Sequence, residues 1–248
     1  MLRGPGLYEG PMRWLPLLLL ACSSPVFAQA AQFDPRCGTP PAHRSYDPPA
    51  WLGDAAPTFP SAAAAEAEAL ALKPQLDAAP AGEAKAAMAL RYADAQRERY
   101  LLDGSSHALR EAVRAYALSI QEAPSGPRMD RTLFRLANLL EEQQEPIRAR
   151  QVYHRLILNE PSSPLVASAY IRFGLYYLGE GDPAVALRFF EKAGELRTSE
   201  RGLALYLAAW SAHDAGDGSA ARAFAERALA AARGPLRIAV RADWCAFR

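Results

Sequence analysis

Four histidines are the side chains best suited to acid–base or metal chemistry here: His43, His107, His154 and His213. They stand apart, with no metal-ligand spacing between them and no cysteine pair beside them. No serine sits in a Gly-x-Ser-x-Gly elbow, which would expose a nucleophile on a strained turn. No Gly-rich loop of either phosphate-binding type is present. Glu141, Glu142 and Glu145 form a charge run near Arg148 and Arg150, the pattern of a solvated helix end. The sequence therefore predicts no catalytic residue, no metal ligand and no cofactor.

The elements that would have to position any site are helices. Alanine is abundant from Ser61 onward and β-branched residues are scarce, which favours an all-α chain. The 248 residues are half hydrophobic and 22% charged, with a formal net charge of +1. That balance argues against nucleic acid or an anionic membrane as the main partner.

The first 30 residues read as a signal for export. Arg3 and Arg13 precede an apolar run from Trp14 to Ala21, and small residues follow to Ala30. The run is shorter than the roughly 20 residues a membrane span needs. A buried N-terminal helix is the alternative. Cleavage after Ala28 or Ala30 would release a soluble protein. Leu19-Leu20-Ala21-Cys22 also resembles a bacterial lipobox, in which Cys22 is lipidated. Met12 competes with Met1 as the start. Cys37 and Cys245 then remain, either as a disulfide across most of the mature chain or as two separate thiols.

Residues 31–60 are proline-rich, from Pro35 to Pro60, and predict an extended linker or strap. Trp51 and Phe59 are either its anchors on an apolar groove or exposed aromatics. Ser61 can cap a helix reaching about Leu72, before Pro74. A second helix spans about Gly82 to Leu102, with Ala89, Ala93 and Gln96 on one face. Helices of 13 to 18 residues follow, separated by breaks that include Gly104, Gly126, Pro146, Pro164, Pro183, Gly216 and Gly234. Pro146 and Pro183 suit first helical positions, where a missing N–H is harmless.

A repeat underlies these breaks. Tyr116, Tyr153 and Phe190 recur every 37 residues, each with an alanine four places earlier: Ala112, Ala149 and Ala186. A fourth unit follows with Ala221 and Ala228, 35 residues after Ala186 and Ala193. The unit from Ala167 to Glu200 adds Tyr170, Phe173-Gly174, Tyr177 and Gly181-Asp182 to Ala186, Phe190 and Ala193. Gly174 and Ala186 would be small because two helices cross there. This pattern resembles tetratricopeptide (TPR) repeats over about 150 residues, and helix pairs with this period stack into solenoids. The unit from Asp130 to Ser163 is similar, the unit from Gly202 to Pro235 departs at Ala212, and the unit before them is degenerate. The resemblance implies an all-α solenoid of three to four helical hairpins over residues 61–235, closed by a capping helix over 236–248.

The resemblance also implies a concave groove lined by the first helix of each hairpin. Its residues would be Arg131, Phe134, Asn138 and Glu141; Ser168, Ile171, Arg172 and Leu175; and Leu203, Tyr206, Trp210 and His213. Phe134 stands where a carboxylate clamp needs lysine, so an apolar segment or helix is the better ligand. Alternatively these residues pack on neighbouring helices, or on the strap, which would then fill its own groove with Trp51 as plug. The implied function is a non-enzymatic protein–protein scaffold or adaptor in a bacterial cell-envelope assembly. It would be periplasmic or lipid-anchored to the outer membrane, touching the membrane only through Cys22. A chaperone-like holder or regulatory subunit for a secreted client is the alternative, and an envelope enzyme the weakest reading.

Overall fold

Short polar residues and prolines mark where the helices begin. In the computed structural model, which describes residues 42–49, 52–54 and 56–247, Ser61 accepts a hydrogen bond from Ala64 N–H and opens α1 (Ala62–Ala78). α2 spans Glu83–Asp103, and Ser105 caps α3 (Ser106–Glu122) through Ala108 N–H. α4 is Met129–Glu142 and α5 is Pro146–Asn159, with Pro146 in the first turn. α6 covers Leu165–Gly179; Asp182 caps α7 (Pro183–Glu195). α8 runs Arg201–Asp214, Asp217 caps α9 (Gly218–Ala231), and α10 is Gly234–Ala242. A 3₁₀ turn over Asp243–Phe247 follows. These caps satisfy N–H groups that have no partner inside their helix.

Two boundaries differ from the sequence expectation. α1 passes through Pro74 instead of ending near Leu72. Pro74 and Leu70 are exposed, so the carbonyl that loses its partner faces solvent, while Leu72 and Leu76 hold the other side in the core. The last helix begins at Gly234, and the chain beyond Ala242 tightens into the 3₁₀ turn rather than continuing as helix.

The fold is all-α among the described residues, and consecutive helices pack as antiparallel pairs. α2 pairs with α3, α4 with α5, α6 with α7 and α8 with α9, while α1 lies on α2 and α10 on α9. The even-numbered helices α4, α6 and α8 also touch in succession. This is consistent with a helical repeat. The residues at the repeat positions explain the pairing: Ala112, Tyr116, Ala149, Tyr153, Ala186 and Phe190 all have no exposed surface. Full burial of one such aromatic contributes about 1.5–3 kcal/mol. A Cβ built on Gly174 would collide with the Phe190 ring, so the α6–α7 crossing leaves no room for a side chain there.

α8 is the most enclosed helix, with every residue from Gly202 to Ala212 buried. A helix that is apolar all round needs cover on every side. α7 and α9 flank it, and the 3₁₀ turn closes it, with Phe247 edge-on to Trp210 at 5.2 Å. Among the described residues no helix is long and apolar enough to cross a membrane.

Candidate functional site: the face beneath the strap

Each even-numbered helix from α2 to α8 contributes side chains to one row of contacts. Residues 42–49, 52–54 and 56–60 occupy that row, and none of them is helical. In this strap Arg44, Tyr46 and Pro48 are half-buried, whereas Ser45, Asp47 and Pro49 are exposed. Such alternation belongs to an extended segment lying on a surface.

At its start the strap meets α8 and the C-terminal turn. Asp243, fully buried, accepts Ser45 N–H at 2.9 Å, Tyr206 O–H at 2.5 Å and Trp210 Nε1–H at 3.1 Å, as well as the Ser45 hydroxyl. Tyr46 N–H donates to Tyr206 Oη at 3.2 Å. Burial, then the bond to Asp243, holds the Tyr206 phenol well above its ordinary range. Four donors satisfy the Asp243 carboxylate where solvent does not reach it.

In the middle, Leu52 is buried in the same core cluster as Ile171. Gly53 has φ of +78° and lies against α6 and α4: a Cβ there would be 2.5 Å from Ser168 Oγ and 3.1 Å from Phe134 Cζ. Asp54 enters next and joins two arginines. Arg97 on α2 donates to its Oδ2 at 2.5 Å, and Arg135 on α4 donates Nε–H to Oδ1 at 3.1 Å. The Arg97 and Asp54 side chains are only 1% and 3% exposed. Arg135 also reaches Asp94 at 2.6 Å, and Tyr116 O–H donates to the same Asp94 oxygen at 2.5 Å. Burial alone pulls the Arg135 guanidinium down, but Tyr116, Asp94 and Asp54 together hold it above its usual value. Burial pushes the Tyr116 phenol up strongly.

At its end, Glu98 on α2 gathers the strap backbone. Its carboxylate accepts Thr58 N–H at 2.7 Å and Phe59 N–H at 2.8 Å, and the Thr58 hydroxyl at 2.9 Å. Contacts from side chains to a segment's backbone fix its path without reading its sequence; Asp54 and Gly53 are the points where identity matters.

The side chains named in the sequence divide sharply. Phe134, Asn138, Ile171, Tyr206 and Trp210 are buried. Phe134 packs on Tyr153, and Asn138 Oδ1 accepts Tyr153 O–H at 2.5 Å. Ser168 and Leu203 are buried too. Arg172 is partly buried, 3.7 Å from Glu141, whose carboxyl is pushed up by burial and held down by Arg172. Leu175 is half-buried, and Arg131 and His213 are exposed. His213 sits edge-on to Trp210 at 5.3 Å, with Nδ1 3.1 Å from Asp214. Cys22, Cys37 and Trp51 lie outside the described residues; Cys245 is disulfide-bonded. Phe59 is half-buried.

Arg97, Glu98, Arg135 and Asp243, which do most of the holding, were not singled out from sequence. Their one local signal is spacing: Asp94 and Arg97 share a turn of α2, and Arg135 follows Phe134 inside an otherwise apolar run. Among the described residues no three His, Cys, Asp or Glu side chains converge as a metal site. A cavity of about 280 Å³ opens beside the strap, lined by His43, Arg44, Asp47, Leu178, Trp210 and Asp214. No protein-family model and no curated protein matches the chain.

Proposed function

We propose that the paired helices form a TPR-like solenoid and that the chain is a non-enzymatic scaffold or adaptor of a bacterial cell-envelope assembly. On this reading the even helices line a concave groove for a protein partner, either periplasmic or, if Cys22 is lipidated, at the outer membrane. The observation that carries it is that this face already holds an extended protein segment, by side-chain bonds to its backbone from Glu98, Tyr206 and Asp243. Those are the means by which a groove takes a peptide. Arg131 and His213 remain exposed on the same helices, as points a partner can reach.

The disulfide of Cys245 fits export into an oxidising compartment. We propose Cys37 as its partner: Ser45, eight positions along the chain from Cys37, is held on Asp243, two positions from Cys245. Peptide mapping without reductant tests this; a Cys22–Cys245 peptide would refute it.

The test of function is crosslinking in the native host followed by mass spectrometry, with crosslinked positions mapped. Defined envelope proteins joined to α2, α4, α6 or α8 are the expected result. Crosslinks confined to α3, α5, α7 and α9 would refute the groove reading.

A further inference from the structure

We infer that the strap-covered face selects an extended segment with a carboxylate directly after a glycine, and that residues 52–54 are its built-in occupant. The inference rests on the groove reading above and adds the chemistry of the partner. Three observations define that chemistry.

The first is charge. Arg97 and Arg135, with side chains 1% and 10% exposed, converge on the single carboxylate of Asp54. Arg135 also holds Asp94, but a segment that displaced the strap without a carboxylate would remove the Asp54 bonds of both enclosed guanidiniums and replace them with nothing of opposite charge. The paired geometry, one arginine on each carboxylate oxygen, suits a planar carboxylate.

The second is shape. The position before the acid lies against Ser168 and Phe134, where an added Cβ would stand 2.5 Å from Ser168 Oγ and 2.8 Å from Ser168 Cβ. Its φ of +78° also favours glycine. The residue before it, Leu52, is buried with Ile171, which asks for an apolar side chain there.

The third is what the strap leaves unused. Among the described residues, Ser168 Oγ and Asn138 Nδ2 are buried without a hydrogen-bond partner. Ser168 is in the floor under Gly53, and Asn138 is one turn along α4 from Phe134, which forms the same floor. Buried polar groups are normally satisfied. A foreign segment that offers acceptors to them binds better than the strap does, so the strap acts as a competitor that such a partner can displace.

The experiment uses the full chain opened by either of two changes in its own strap, Asp54→Ala or Gly53→Val, which leave the groove side chains intact. Its probe is a fluorescent peptide of residues 42–60, with Asp54→Asn and Gly53→Val forms for comparison. Opened protein is expected to bind the unaltered peptide at least tenfold tighter than either altered one. Wild type, whose own strap competes, should bind it at least tenfold more weakly than opened protein. Equal binding of all three peptides overturns the selectivity while leaving the groove reading intact. Absence of binding by an opened variant that keeps its helical circular dichroism overturns the inference; the groove reading then stands or falls by the crosslink positions. Should both variants fail to fold, wild type decides: the peptide must speed exchange of the Thr58 amide, and its Asp54→Asn form must not. No acceleration by the unaltered peptide overturns the inference.

Discussion

Replacing Gly53 with alanine should lift the strap from its face while the helices stay folded. Two costs act at that residue. The φ of +78° is one an alanine adopts at about 1–2 kcal/mol. The added Cβ would also sit 2.5 Å from Ser168 Oγ, 2.8 Å from Ser168 Cβ and 3.1 Å from Phe134 Cζ. The hydroxyl can rotate away, but the Ser168 Cβ is fixed by α6 and Phe134 is packed on Tyr153. Overpacking of this kind costs about 1–3 kcal/mol. Against these, alanine restricts the undocked chain and returns about 0.4–1 kcal/mol. A net loss of about 2–3 kcal/mol raises the open population roughly 30- to 150-fold.

Amide hydrogen exchange at Tyr46, Thr58 and Phe59 reads this directly, because those N–H groups donate to Tyr206 and Glu98 only while the strap is docked. Exchange at these amides should accelerate by that factor, with α6 and α8 amides unchanged. Adding Ser168→Gly removes the two Ser168 contacts but neither the Phe134 contact nor the φ penalty, so it should restore part of the protection. If Gly53→Ala leaves the strap amides within threefold of wild type, the close fit at residue 53 does not hold the strap and the reasoning fails.

Two further perturbations test the surrounding structure. Trp210→Ala should cost about 3–5 kcal/mol in denaturant unfolding, since Trp210 is buried, donates to Asp243 and packs on Phe247; a loss under 1 kcal/mol would mean α8 is not closed by the C-terminal turn. Glu141→Gln should alter the pH dependence of stability. Burial raises the Glu141 carboxyl above its ordinary 4.5, so the folded state binds the extra proton in the window just above that value. Wild type therefore loses stability relative to Glu141→Gln as pH rises through the window from 4.5 upward, and holds it below. Paired urea melts at pH 4 and 7 check the sign; a wild type that gains on the variant toward pH 7 would contradict it.

Local chemistry and periodicity carried most of the fold. Ser61 and the glycine and proline breaks are read within a few residues, because capping and φ restriction depend on near neighbours. The interval of 37 between Tyr116, Tyr153 and Phe190 marked residues that are fully buried. Pro74 misled because its effect depends on which side of α1 faces solvent, and that is set by packing against α2.

By itself the sequence determined an all-helical chain, its order of helices and the small residues at their crossings. Each of those follows from interactions spanning a handful of positions or one repeat. Only the tertiary structure decided what covers the face of the even helices. Ser45 and Asp243 are 198 positions apart, and Asp54 and Arg135 are 81 apart. No periodicity links such partners. A charged residue in a proline-rich segment reads as solvated until the fold brings two buried guanidiniums to it, and Tyr206 and Trp210 read equally as partner anchors or as packed side chains until the strap and the C-terminal turn close over them.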